Sequence, residues 1–145
     1  MEAIFCQKLE EYLRNNNPDI LITLKEEGRL NDYLRDKVAS VDGLMHQLIA
    51  EGIPATLIEE HCLDELKGPL LPSRYHYIAA ILEEEFGSCY EQYARSGVLG
   101  TELLNMIHAC DTVLTELHFS SAKEDDPLIR YAVMGVLWEY VNRES

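Results

Sequence analysis

The sequence predicts an all-α fold, a bundle of six or seven helices in a single domain spanning residues 1–145. Three observations carry this. Apolar residues recur at the helical period along nearly the whole chain, and no stretch alternates at the period of two that a half-buried strand requires. Glycines and prolines mostly stand singly at the ends of those apolar runs, as helix punctuation does. With 47% apolar and 26% charged residues in 145, the chain can also close a core without disulfides or metal.

Taken in order, Ile4, Phe5, Leu9, Tyr12 and Leu13 form the first apolar stripe, which Asn15-Asn16-Asn17-Pro18 stops. Asn17 is suited to cap a short second helix with Pro18 at its first position, and Gly28 ends it. Leu34, Val38, Val41, Met45, Leu48 and Ile49 then mark one long helix from about Asn31 to Glu51, with Gly52 just past its end. Pro54 opens a helix carrying Leu57, Ile58, Cys62 and Leu66, closed by Gly68-Pro69. Ser73 is the expected N-cap of a long helix from about Arg74 to Arg95, with Gly87 as its one weak point and Gly97 as its end. Thr101 is the expected cap of a helix along Leu103, Leu104, Ile107, Cys110, Leu114 and Leu117. His118 to Asp126 is polar and reads as a loop. Pro127 starts the last helix, which is apolar nearly all round (Tyr131, Met134, Val136, Leu137, Trp138, Tyr140, Val141) and is therefore expected to be central.

A faint internal repeat adds the alternative of two similar helical halves. Glu51-Gly52-Ile53 pairs with Ser96-Gly97-Val98, each before a helix bearing a histidine and a cysteine. Ile78, Ile81, Leu82 and Glu84 then pair with Val133, Val136, Leu137 and Glu139.

Charge narrows the function. Twelve Lys and Arg against 26 Asp and Glu give a net −14. Nine acids and two bases lie between Glu51 and Glu91. Nucleic acid held by its phosphates needs a basic surface, so direct DNA or RNA binding is not expected. The same field disfavours anionic membranes, and no apolar run approaches the length of about 18 residues needed to span one. The opening residues, Met1 to Lys8, do not read as a secretory signal. Cys6, Cys62, Cys89 and Cys110 are isolated and contain no CxxC pair, which points to reduced thiols and a cytoplasmic protein.

No Gly-rich phosphate loop and no serine nucleophile elbow occurs. His61, Cys62 and Glu65, and again His108, Cys110 and Asp111, fall within about one helical turn, the spacing of metal ligands. Half-buried histidines and core cysteines explain both sets more simply, so no metal or cofactor is assigned. Glu83-Glu84-Glu85 has no evident partner for acid–base work. Tyr75, Tyr77, Tyr90 and Tyr93 lie along the long helix, most simply as core. Where such tyrosines stay exposed beside acids they suit an interface, which makes Tyr75, Glu84, Glu85, Tyr90 and Tyr93 the candidate partner surface.

The run Leu117-His118-Phe119-Ser120-Ser121, followed by Leu128, Val136-Leu137 and Glu139-Tyr140, resembles a bacterial domain-of-unknown-function family, number 1896 in its series. That family comprises small proteins of Bacteroidetes, often near mobile elements, and the acidic segment Lys123 to Asp126 departs from its pattern. The resemblance implies a bacterial cytosolic protein with an all-helical fold and carries no catalytic residue. The expected function is a non-catalytic protein-interaction module with a protein partner, and a symmetric homodimer is compatible with it. The alternative is an acidic DNA mimic that inhibits a nucleic-acid enzyme, and the third reading is a metal-binding or enzymatic bundle.

Overall fold

A computed structural model describes residues 2–144. Among them the chain is all-α with no strand. Its helices are α1 (Glu2–Asn16), α2 (Pro18–Glu26), α3 (Leu30–Ser40), α4 (Asp42–Ala50), α5 (Ala55–Lys67), α6 (Arg74–Glu85), α7 (Gly87–Arg95), α8 (Leu99–Glu116) and α9 (Pro127–Glu144). Single 3₁₀ turns at Gly68–Leu70 and Ser121–Lys123 complete them.

Nine helices replace the expected six or seven because each of two long ones breaks once, the second beside Gly87, its expected weak point. The breaks fall at Val41 (φ −99°, ψ 2°) and at Phe86 (φ −130°, ψ 46°). Both keep the backbone bonded on either side: Met45 N–H donates to Val41 O, Phe86 N–H to Leu82 O, and Tyr90 N–H to Phe86 O. A break that loses so few hydrogen bonds leaves the apolar period intact, which is why the sequence reads through it.

Tertiary contacts group the chain into two compact units that part between Leu71 and Pro72, where the sequence reads as one domain. In the first, α1 packs on α2, α3 and α5, and α5 packs on α4. Phe5, Leu9, Leu13, Leu34, Val38, Ile58, Cys62 and Leu66 are the main members of its core. In the second, α6 packs on α7, α8 and α9, and α8 packs on α9. Ile78, Leu82, Leu103, Ile107, Cys110, Ile129, Val133 and Leu137 are the corresponding members there.

The two plans superpose in sequence, although not in the register expected. Gly28 and Gly97 both adopt positive φ (67° and 75°) after nine-residue helices. Carried at that spacing, Leu9 falls on Ile78, Leu13 on Leu82, Leu34 on Leu103, Val38 on Ile107 and Val41 on Cys110, all buried. Two residues further on in spacing, Ile58 falls on Ile129, Cys62 on Val133 and Leu66 on Leu137, again all buried. Gly97 therefore corresponds to Gly28 rather than Gly52, and α9 corresponds to α5 rather than α6. The expected register failed because one ending recurs at three glycines. In each, the glycine N–H and the following N–H turn back onto the helix's last carbonyls, as Gly28 does on Lys25 and Arg29 on Leu24. Such a Schellman ending marks a helix terminus and not a repeat boundary.

Caps complete the elements. Ser73 Oγ accepts the His76 N–H at 3.2 Å, as a capping serine should. Asn17 does not cap α2: its Nδ2 donates instead to Leu70 O at 3.2 Å, tying the α1–α2 junction to the end of the first unit. Helix α8 begins at Leu99, ahead of Thr101, because the turn at Gly97 delivers Val98 directly as the N-cap residue. Asp126 Oδ1 accepts the Leu128 N–H at 2.9 Å and Pro127 occupies the first turn of α9.

Candidate functional site

The chemistry-bearing residues singled out from sequence do not converge. On α5, Cys62 is fully buried while His61 and Glu65 are exposed. On α8, Cys110 is buried while His108 and Asp111 are exposed, and Asp111 pairs with Arg74 at 2.7 Å. Neighbouring positions on a helix point about 100° apart, so a buried cysteine and an exposed adjacent histidine cannot share one ion. Among the described residues no group of three or more His, Cys, Asp or Glu could hold a metal. Burial, and secondarily Asp111, pushes the Cys110 thiol up to about 12, and burial likewise raises Cys62. Both stay protonated and are poor nucleophiles. One concavity in the first unit holds about 140 Å³, lined by Ile4, Phe5, Ala55, Thr56 and Glu59. That is below the roughly 300–1,000 Å³ of small-molecule sites.

The expected tyrosine–acid surface is also divided. Tyr75, Tyr90 and Tyr93 are half-buried and pack against the second core, with Tyr75 and Tyr93 on either side of the Phe86 break. Glu84 and Glu85 are exposed, but both hold one guanidinium: Arg130 Nη2 donates to Glu84 at 2.8 Å and to Glu85 at 3.0 Å. These acids fasten α6 to the first turn of α9.

The feature that stands out lies on α9. The helix is apolar nearly all round, yet it is not central, because α6 and α8 cover one side only. Ile129, Val133 and Leu137 are at most 2% exposed and face the core. On the opposite side Leu128 is 73%, Tyr131 67% and Trp138 60% exposed. Gly135 lies between them, also exposed, and a Cβ built there meets nothing within 4 Å. Positions 128, 131, 135 and 138 follow the i, i+3, i+7, i+10 pattern of a single helix stripe, and the stripe contains no charge. Its edges are held in place. Arg130 anchors one flank to α6, and Tyr140 Oη donates to Glu102 Oε2 of α8 at 2.5 Å on the other.

Helix α5 provides an internal comparison. At the repeat spacing, Leu128, Tyr131, Gly135 and Trp138 correspond to Leu57, Glu60, Asp64 and Lys67. The same face in the same plan is therefore mostly charged in the first unit and wholly uncharged in the second. A signal for it exists in the sequence, since the second stripe on α9 is visible once the repeat is in register. Read alone, an all-round apolar helix looks like core.

No protein-family model, curated protein or solved structure matches the chain. The outer face of α9 therefore has to be judged on its own chemistry.

Proposed function

We propose that this protein is a non-catalytic protein-interaction module that docks a protein partner through the outer face of α9. The observation that carries the reading is the uncharged stripe of Leu128, Tyr131, Gly135 and Trp138, exposed on a helix whose other face is core. Exposed apolar patches of this kind mark interaction sites. Tryptophan and tyrosine are the residues that most often anchor interfaces, because they desolvate a large area with few rotors to immobilise. The polar face of α5 supports the reading further, since nothing in the shared plan requires aromatics at these positions. The acids are a background rather than a site. Residues 1–71 carry 14 acids and 7 bases, and residues 72–145 carry 12 and 5, so both units have the same net charge. No helix of the described residues is long and apolar enough to cross a membrane. The four cysteines are free thiols, which fits a reducing compartment such as the cytoplasm.

The test is capture from lysate with the native chain and with Tyr131→Ala/Trp138→Ala, washed at low and high salt. An apolar dock predicts a partner lost in the double variant and retained by the native chain at high salt, since screening acts on charges and not on apolar contact. Recovery of the same proteins by both forms would sink the reading. If those proteins were nucleic-acid enzymes released by salt, the acidic DNA-mimic alternative would replace it.

A further inference from the structure

We infer that residues 117–126, the connection from α8 to α9, form a strap that opens as a local unit and releases Phe119 from Tyr77. The inference stands independently of the docking role. Four residues, 51–54, make the corresponding connection in the first unit, and ten make it here. From Thr115 to Leu128 every residue is exposed or half-buried, so the segment adds nothing fully buried to the second core. Its hydrogen bonds are mostly internal: Lys123 N–H donates to Ser120 O, Lys123 Nζ to Leu117 O and Asp126 N–H to Lys123 O. A segment bonded mainly to itself keeps those bonds when it lifts away from its core.

Two features weaken the closed position. The first lies beneath the strap. Phe119 packs on the Tyr77 ring with centroids 4.5 Å apart, and Tyr77 Oη is buried with no protein hydrogen-bond partner. Burial raises the pKa of that hydroxyl, ahead of Arg130, which lowers it, and of the strap's Asp126 and Glu124, which raise it. An unpaired buried hydroxyl forfeits its solvation, a loss of the same order as the gain from one aromatic pair. The second feature is the hinge. His118 has φ 55°, where glycine stands at three other helix ends, so lifting relieves strain at a residue with a Cβ. Opening gives up the ring contact and the Phe119 N–H bond to Leu114 O. It returns Tyr77 Oη to water and relaxes His118. These terms oppose one another, so the strap opens while the core of α6, α8 and α9 stays folded. The two rings then enter solvent beside Arg130, in the first turn of α9.

Chymotrypsin reads the open form, because its apolar pocket takes the Phe119 ring only after that ring has left Tyr77. The experiment is cleavage of the folded full chain, with the cut between Phe119 and Ser120 followed by mass spectrometry at urea concentrations below the unfolding transition. Where opening and closing outpace cleavage, the rate follows the population of the open form. The expected result is a cut at that bond whose rate depends on urea far less than global unfolding does, since lifting the strap exposes little surface. Tyr77→Phe takes the unpaired hydroxyl out of the closed form. It should slow the cut by about fivefold or more, with a melting point unchanged or higher. A cut with the same urea dependence as global unfolding overturns the strap, because Phe119 would then leave only with the core. A Tyr77→Phe chain cut no more slowly than the native one also overturns it, because the hydroxyl would then be satisfied in the closed form.

Discussion

At the residue scale, the cysteines show how far position along a helix decides chemistry. Cys62 and Cys110 are fully buried, while Cys6 and Cys89 are only half-buried. A thiol reagent at neutral pH should therefore modify Cys6 and Cys89 in the native protein and reach Cys62 and Cys110 only on unfolding; prompt modification of Cys110 would contradict its burial. The same burial makes stability depend on alkaline pH. The native state keeps a proton on Cys110 up to about 12, whereas the unfolded chain releases it near about 8.5. Above that value the unfolded state binds fewer protons, so stability is full below it and falls as pH rises, by up to about 1.4 kcal/mol per pH unit for this thiol. Melting temperatures measured between about pH 7 and 10 should decline, and less steeply in Cys110→Val. An identical slope in that variant would remove the thiol from the account.

At the element scale, four helices end in the same left-handed turn, three of them at a glycine. Gly28, Gly52 and Gly97 close their helices at positive φ, and His118 does the same after α8 at φ 55°, with its N–H donating to Thr115 O. A residue with a Cβ is strained there by roughly 1–2 kcal/mol, while glycine costs roughly 0.4–1 kcal/mol through the unfolded state. His118→Gly should thus raise stability by about 0.5–1 kcal/mol, seen as a melting point a few degrees higher. A lower melting point would mean that the imidazole contributes something at the surface that its exposure hides. The breaks at Val41 and Phe86 belong to this scale too. They are invisible to periodicity because Val38, Val41 and Met45 keep helical spacing across one break, as Leu82, Phe86 and Tyr90 do across the other.

At the scale of the whole molecule, each unit has its own core. The first core includes no residue beyond Leu70, and the second none before Ile78. Removing residues 127–145 takes Ile129, Val133 and Leu137 from the second core, about 1.5–3 kcal/mol each. That is comparable to the entire stability of a unit this size, at about 0.05–0.15 kcal/mol per residue. The truncated chain should lose hydrogen-exchange protection throughout α6 and α8 while α1 and α5 keep theirs. Protection retained in α6 and α8 would show that α9 is not the element that completes their core.

The sequence by itself determined the class of fold, most of the core residues outside α2 and α9, the glycine ends of the helices and the Ser73 cap. These are local facts: a side chain's face follows from its place in the 3.6-residue period, and a cap from two or three neighbours. Only the tertiary structure decided that the chain forms two compact units, that their register runs from Gly28 to Gly97, and that α9 turns a second apolar face outward. Periodicity specifies which residues of a helix share a side, but not how many sides its neighbours cover. For α9 the cover is α6 and α8 on one side, so Ile129, Val133 and Leu137 became core while Leu128, Tyr131 and Trp138, equally apolar, became surface.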